Sequence, residues 1–298
     1  MGSRWWRRWT MSIDPQLYHG CLPSTLPIDA AATRLQWLGT AGFRIVHDDK
    51  HFWLDPHLSR HSPRQLLTGA IAPELAKIVE HVDAAHGVAV GHSHFDHALD
   101  APAIAQLHGC PVFGSEDTLN WCRGYGLPES QLRLLQGNGP AHQVGPFTLS
   151  AIPSLHSPLF AGQIPFPGRI ERPLTAPAPM RNWRVGETLV IKLQTPRVSI
   201  LHVGSAALID AELQGVQADV VLACTIGRHA TPGFVPRLLD ALRPKLVIPC
   251  HWDQFWRPLT APVRQIPGND LQGFIDEVRR HPTAPELRVL PLLGWTSL

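Results

Sequence analysis

Short apolar runs alternate with segments of helical spacing along most of the chain. Three strands joined by tight turns are predicted at residues 35–39, 42–48 and 51–55. Apolar residues then recur at helical spacing over 73–82, and a short apolar strand is predicted at 87–90. A meander followed by alternating helices and strands is typical of an α/β domain.

The second half repeats this alternation. Strands are predicted at 147–152, 188–194, 198–203, 219–224 and 246–249, and helices at 208–213, 232–242 and 271–281. Three of the apolar strands run directly into polar side chains, namely His92, Ser205 and His251. We therefore expect a site where strand ends converge. Asp100 is predicted to cap the helix after the first of these ends.

Length and composition allow one large domain or two small ones, and no linker separates independent domains. The chain has 298 residues, 44% of them hydrophobic, and a formal net charge of +2 without a recurring basic stripe. Nucleic acid is therefore not an expected partner. The five cysteines are scattered without metal-site spacing, which favours a reducing compartment, and no signal-like apolar stretch follows the N-terminus. We expect a cytoplasmic protein.

The first thirty residues are interpreted as a tail (1–30) ahead of a single domain (31–298). The tail carries a cluster of arginine and tryptophan between Arg4 and Trp9, which could make a weak contact with a membrane surface. Three interpretations without function remain open: an unstructured tail, residues added ahead of the natural chain, and a natural start at Met11.

The chemistry is concentrated in the stretch GHSHFDHALD. Three histidines and an aspartate, His92, His94, Asp96 and His97, lie within six residues where a strand gives way to a helix. Alternate residues of an extended segment point the same way, and the turn into the helix can bring His97 beside them. Imidazole and carboxylate suit zinc, manganese or iron, so the segment can serve two metal ions. A histidine-rich surface loop is the alternative.

This His-x-His-x-Asp-His pattern resembles the signature of the metallo-β-lactamase fold superfamily. The stretches WLGTAGFRI and HFWLDPHLS are similar to the opening of the branch that includes ascorbate-phosphate lactonase and the N-acylphosphatidylethanolamine phospholipase D type. The resemblance covers roughly residues 35–255 and implies a four-layer αββα sandwich. IPSLHS then supplies His156, and IPCHWDQF supplies His251.

The resemblance also implies a ligand set. His92, His94 and His156 would hold one divalent metal, and Asp96, His97 and His251 would hold the other. Most hydrolases of the superfamily have a bridging aspartate where this chain has Ser205. A subclass that carries serine there still binds two metals, so two metals are expected. A single metal stays open, because the missing charge weakens the second site.

The expected activity is hydrolysis of an ester, lactone or phosphodiester by a metal-bound hydroxide. Asp96 would orient or shuttle the proton, and His229 would be a transition-state donor if it is not a loop histidine at a helix start. Asp55 is expected to accept a hydrogen bond from a ligand imidazole, or else to form a turn with Pro56. The alternative function is a non-catalytic descendant that binds metal or a partner.

The proline-rich stretch 157–186 is interpreted as an insertion that covers the metals like a lid. It leaves directly from His156 and carries several large apolar residues, so a small-molecule or lipid-like substrate is expected. A contact in a homo-oligomer is the other interpretation of the same stretch.

Overall fold

The computed structural model describes residues 32–159 and 162–298. The predicted tail, with its arginine and tryptophan cluster, therefore lies outside the described residues. No helix in the described part of the chain is long and apolar enough to span a membrane.

The first sheet is built mainly from the N-terminal half. Its strands in chain order are β1 (Arg34–Gly39), β2 (Gly42–His47), β3 (Lys50–Leu54), β4 (Gly87–Ala89), β5 (Val112–Gly114), β6 (Leu132–Leu134) and, from the C-terminus, β14 (Trp295–Ser297). Within the described residues the spatial order is β14-β1-β2-β3-β4-β5-β6. The predicted meander forms the antiparallel part, and β3 to β6 pair in parallel.

The second sheet comes from the C-terminal half. Its strands are β7 (His142–Val144), β8 (Phe147–Ser154), β9 (Thr188–Gln194), β10 (Ser199–Val203), β11 (Val220–Cys224), β12 (Leu246–Cys250) and β13 (Glu286–Leu287). In the described chain they are ordered β13-β12-β11-β10-β9-β8-β7, with β10 to β13 in parallel.

Helices cover the outer faces of both sheets. They are α1 (Pro63–Thr68), α2 (Leu75–His81), α3 (Phe95–Ala98), α4 (Ala101–His108), α5 (Glu116–Tyr125), α6 (Asp210–Leu213), α7 (Phe234–Leu242) and α8 (Leu271–Arg280). The apolar faces of α4 and α5 pack with the first sheet, and those of α7 and α8 with the second. Between the sheets Phe52 contacts Phe147, with ring centroids 5.4 Å apart. The predicted αββα sandwich is confirmed.

The sheet topology brings several strand ends to one edge. Strands β3 and β4 run in parallel, as do β10, β11 and β12. Strand β8 runs antiparallel to β9, which is antiparallel to β10, so β8 has the same direction as β10. Side chains that follow these strands therefore meet between the sheets.

Asp100 does not play the predicted part. It is the N-cap residue of α4, but its carboxylate makes no capping hydrogen bond. Instead it accepts hydrogen bonds from the backbone N–H groups of Leu58 and Ser59 at 2.6 and 2.8 Å. Burial raises the pKa of this carboxyl. Asp100 thus stabilises the loop after β3. Its carboxylate bonds to backbone N–H groups of that loop instead of to the N–H groups at the start of α4.

The stretch 157–186 is tied to the first half of the molecule. Asp117, in the first turn of α5, accepts hydrogen bonds from the Ile170 N–H at 2.7 Å and the Glu187 N–H at 3.3 Å. Trp183 is fully buried with its ring centroid 5.1 Å from that of Trp121. The described part of this segment therefore packs against α5. Its predicted role as a lid stays a prediction.

Candidate metal centre

The six predicted ligands meet at the shared edge of the two sheets. They form two groups, in each of which the candidate ligand atoms lie within 4.8 Å of one another. The first triad is His92, His94 and His156, and the second triad is Asp96, His97 and His251. The rings of His92 and His97 lie with centroids 3.9 Å apart, so the two triads are adjacent.

Backbone carbonyls fix two imidazoles of the first triad. His94 donates from Nε2 to the Pro165 carbonyl at 2.8 Å, and His156 donates from Nδ1 to the Ser157 carbonyl at 2.8 Å. The other ring nitrogen of each, Nδ1 of His94 and Nε2 of His156, is then unprotonated in the neutral tautomer. A hydrogen bond of this kind both orients a ligand histidine and raises its basicity.

Burial keeps the first triad neutral. It lowers the pKa of His92 well below the ordinary range, and neighbouring histidines lower it further. Burial likewise lowers the pKa of His94 to about 4 and that of His156 to about 3. The neutral form is the one that ligates a metal.

A buried carboxylate organises the second triad. Asp55 follows β3, accepts the Gly91 N–H through Oδ1 at 2.7 Å, and lies 2.7 Å from His97 Nδ1 through Oδ2. Burial alone would raise the pKa of Asp55, but the charges of His97 and His202 hold it far below its usual range. Asp55 therefore accepts a hydrogen bond from a predicted ligand, as expected, and leaves His97 Nε2 free to ligate.

His202 is a part of this network that the sequence analysis missed. It is fully buried on β10, and its Nε2 lies 2.9 Å from Asp55 Oδ2. Gly204 follows at a close approach, because a Cβ there would lie 2.9 Å from Asp55 Oδ2. A single histidine in an apolar strand carries no motif, so only the tertiary structure identifies it.

His251 is held by its backbone. It has a φ of 57°, a left-handed conformation that costs a non-glycine residue about 1 to 3 kcal/mol. Its N–H donates to the Thr40 carbonyl at 2.7 Å, and the Thr40 N–H donates to Asp253 at 2.6 Å. Arg60 neutralises Asp253 at 2.7 Å. The strained ligand is thus fixed by a buried network behind it.

Asp96 is the only carboxylate among the six ligands. Its Oδ2 lies 3.2 Å from His251 Nε2 and 3.9 Å from His97 Nε2. Burial opposes ionisation, but the charges of His97 and His251 and a hydrogen bond from His251 lower the pKa of Asp96 far below its ordinary value. The side chain is therefore a carboxylate at neutral pH.

The donors fit a cation. In the first triad His92 Nε2 lies 3.2 Å from His94 Nδ1, and in the second His97 Nε2 lies 3.2 Å from His251 Nε2. Two nitrogens of these pairs, His94 Nδ1 and His97 Nε2, are the unprotonated atoms left by the bonds described above. Converging lone pairs with a carboxylate beside them repel one another unless a proton or a metal ion lies between. The residues present thus match a divalent metal pair.

Two other predicted positions are Ser205 and His229. Ser205 is buried and bonds to Ser157, not to any of the six ligands within the described chain. His229 has a side chain that is 61% exposed, with Nδ1 3.0 Å from Arg228 and Nε2 3.8 Å from Asp270. Its role as a donor stays a prediction.

His57 is a second residue that the sequence analysis missed. It is 1% exposed, contacts the rings of Phe95 and Phe255, and has no hydrogen-bond partner for either ring nitrogen among the described residues. Burial, with the charge of Arg60, lowers its pKa well below the ordinary range. It lies beside the second triad as a neutral imidazole with unused hydrogen-bonding capacity.

A family model supports what the geometry indicates. The model described as "Beta-lactamase superfamily domain" matches residues 34–251, a span that holds all six candidate ligands. The chain belongs to the beta-lactamase superfamily. The likeness to metallo-β-lactamase proteins inferred from the His-x-His-x-Asp-His pattern is thereby confirmed at the level of the superfamily.

Curated relatives narrow the family. A "UPF0173 metal-dependent hydrolase" of Myxococcus xanthus is 31% identical over 235 residues, which is 76% of this chain and 74% of the relative. One from Methylobacterium nodulans is 25% identical over 234 residues, 77% of this chain and 88% of the relative. This superfamily member therefore belongs to a family of metal-dependent hydrolases, as predicted. Membership of the lactonase and phospholipase D branch is not shown.

A solved structure shows the same fold. Igni18, described as a novel metallo hydrolase from Ignicoccus hospitalis, superposes with a TM-score of 0.60 at 19% identity. The match covers 90% of this chain and 98% of that protein. At this identity the likeness concerns the architecture alone.

Proposed function

We propose that the protein is a two-metal hydrolase of ester, lactone or phosphodiester bonds, with one divalent cation in each triad. The observation that carries the proposal is the convergence of two complete sets of three ligands at one sheet edge. Imidazole and carboxylate donors without thiolate favour zinc, and manganese or iron take the same donors.

A divalent cation in such a site polarises the substrate oxygen and lowers the pKa of water toward neutrality. The protein's own part is to place the donors and to move a proton. Asp96 is ionised and lies beside His97 and His251, so it can orient a water molecule and accept its proton. Because the pKa of Asp96 is low, its carboxylate would stay protonated only briefly before it passes the proton on. His229 stays the predicted transition-state donor.

Two features bear on the substrate. The six candidate ligands are one carboxylate and five imidazoles, and an imidazole that binds a metal is neutral. Most of the charge of two divalent cations would therefore stay uncompensated, which favours an anionic reacting group. Aromatic rings flank both triads, since Phe166 lies 6.2 Å from His94 and Phe255 lies 5.7 Å from His251 between ring centroids. A phosphodiester or ester with an apolar body, small or lipid-like, fits both features.

The opening motif of the chain supports a substrate of the lactonase or phospholipase D kind. Four buried free cysteines, Cys110, Cys122, Cys224 and Cys250, support a reducing, cytoplasmic location. We also propose that the N-terminal cluster contacts membranes weakly and that the chain can associate with itself.

The test is metal content together with turnover. Purified protein loaded with zinc and then dialysed should hold close to two zinc ions per chain, and His97→Ala should hold one. His81→Ala, on α2, which carries no ligand, is the control and should hold two. Turnover would be followed with a p-nitrophenyl ester and with bis(p-nitrophenyl) phosphate, before and after chelation.

In the same assays His229→Ala should lower turnover without loss of metal. A saturated content of one zinc would overturn the two-metal assignment. Full metal content with no turnover on either substrate class would favour the non-catalytic descendant, whose sequence support was Ser205.

A further inference from the structure

Ser205 occupies the position at which most hydrolases of the superfamily carry a bridging aspartate, and its hydroxyl has another partner. Ser205 Oγ accepts a hydrogen bond from the Ser157 N–H at 3.0 Å, and the Ser157 hydroxyl lies 3.5 Å away. Ser205 is 5% exposed and Ser157 is 1% exposed. This hydrogen bond joins residues 48 positions apart in the chain. Because both residues are buried, water cannot replace either partner if the bond is lost.

The partner peptide supports a metal ligand. The carbonyl of Ser157 accepts the hydrogen bond from His156 Nδ1 at 2.8 Å. Ser157 thus makes two hydrogen bonds through its backbone: its N–H donates to Ser205, and its carbonyl accepts from His156. His156 is also the only one of the six ligands that is not buried, and it follows β8 in irregular backbone beside the 54% exposed Leu155. A ligand so placed needs support from outside its own strand.

Gly227 closes the other side of this peptide. Its φ is 81°, and a Cβ at this position would lie 2.3 Å from Ser157 Oγ and 2.6 Å from Leu159 Cδ2. The loop before the short 3-10 turn at Arg228–Ala230 therefore touches Ser157 directly. Ser157 is therefore packed between Ser205 and Gly227.

We propose that Ser205 is a positioning residue for His156, acting through the Ser157 peptide, and that it serves the first triad. The inference rests on the proposed function, because it takes His156 as a ligand. It differs from the bridging role expected at this position, which would place the effect of residue 205 at the second triad.

The experiment is a double-mutant cycle on zinc affinity. Zinc binding would be measured by competition with a chromophoric chelator for the unmutated protein, Ser205→Ala, His156→Ala and the double variant. Ser205→Ala should weaken the first triad by about tenfold and leave the second unchanged. Once His156 is alanine, Ser205→Ala should have no further effect on zinc affinity.

Two more variants test the same contact independently. Ser205→Thr keeps a hydroxyl and should retain most of the affinity, whereas Gly227→Ala should reproduce the loss at the first triad by pressing on Ser157. Thermal unfolding of the zinc-free proteins would identify a variant that fails to fold, and Ser205→Thr and Gly227→Ala then carry the test.

Additive effects in the cycle, or a loss confined to the second triad, would overturn the positioning role. If His156→Ala itself leaves zinc affinity unchanged, the proposed ligand set has failed instead. The two failures are therefore distinguishable.

Discussion

The two triads are built from the same kinds of side chain but are supported in different ways. In the first triad the non-ligand nitrogens of His94 and His156 donate to backbone carbonyls in or beside the proline-rich segment. In the second, His97 donates to the buried carboxylate of Asp55, and His251 is fixed through Thr40. The geometry of the first triad thus depends on how the proline-rich segment packs. The geometry of the second triad depends on buried charged residues.

This difference has an electrostatic consequence. Both a carbonyl and a carboxylate fix the tautomer of an imidazole, but only the carboxylate adds a negative charge, which raises the basicity of the imidazole further. Burial lowers the pKa of His97, but the charges of Asp55 and Asp96 outweigh it, so that its pKa is raised. Burial lowers the pKa of His94 to about 4, and the charge of Asp96 offsets this only in part. We expect the second triad to be the stronger electron donor.

The largest effect is expected at Asp96. Asp96→Asn removes the one negative ligand and the proton carrier, while it keeps the size of the side chain. Turnover should fall by about 10²- to 10⁴-fold, and zinc should be lost from the second triad first. Steady-state kinetics and metal analysis of the same preparation measure both. Unchanged turnover with full metal content would remove Asp96 from the mechanism.

Asp55→Asn addresses the support of the second triad alone. The amide keeps the shape but not the charge that holds His97 and His202, so zinc affinity at the second triad should fall by about 10- to 100-fold. The first triad should be unaffected. A zinc titration that resolves two phases measures both sites. Asp100→Asn, which alters another fully buried carboxylate, is the control, and an equal loss at both triads would contradict the comparison.

Asp117→Ala addresses the support of the first triad and should have the smallest effect. It frees the N–H groups of Ile170 and Glu187, which should cost about 1 to 3 kcal/mol in the free energy of unfolding. Zinc affinity at the first triad should fall less than tenfold, because Pro165 is reached only indirectly. Urea unfolding and zinc titration are the measurements. Glu116→Ala, in the same helical turn, is the control, and a loss at the second triad instead would refute the assignment.

The sequence was most informative where chemistry is local. The His-x-His-x-Asp-His stretch and the strands that end at His92 and His251 were predicted from the local pattern, because alternation and strand order place these side chains at one edge. The place of His156 in the ligand set was implied by the family resemblance. The helix predicted at 271–281 corresponds to α8, whose apolar side packs as expected.

What the sequence did not indicate depends on contacts between distant residues. Asp100 was assigned to a helix cap because its partner Ser59, 41 residues away, leaves no trace in the local pattern. His202 is an isolated polar residue within an apolar strand. The pairing of β14 with β1 joins strands near the two ends of the described residues, and no periodicity encodes such a register. Ser115, which caps α5, was a usable signal that the analysis left out.

The bond from His94 to the Pro165 carbonyl links two equilibria. Any free energy by which the docked segment favours metal in the first triad is, by thermodynamic reciprocity, the free energy by which the metal favours the docked segment. Docking of the segment and binding of the cation therefore favour each other. Amide hydrogen exchange in the described part of 157–186 is accordingly expected to slow when metal is added.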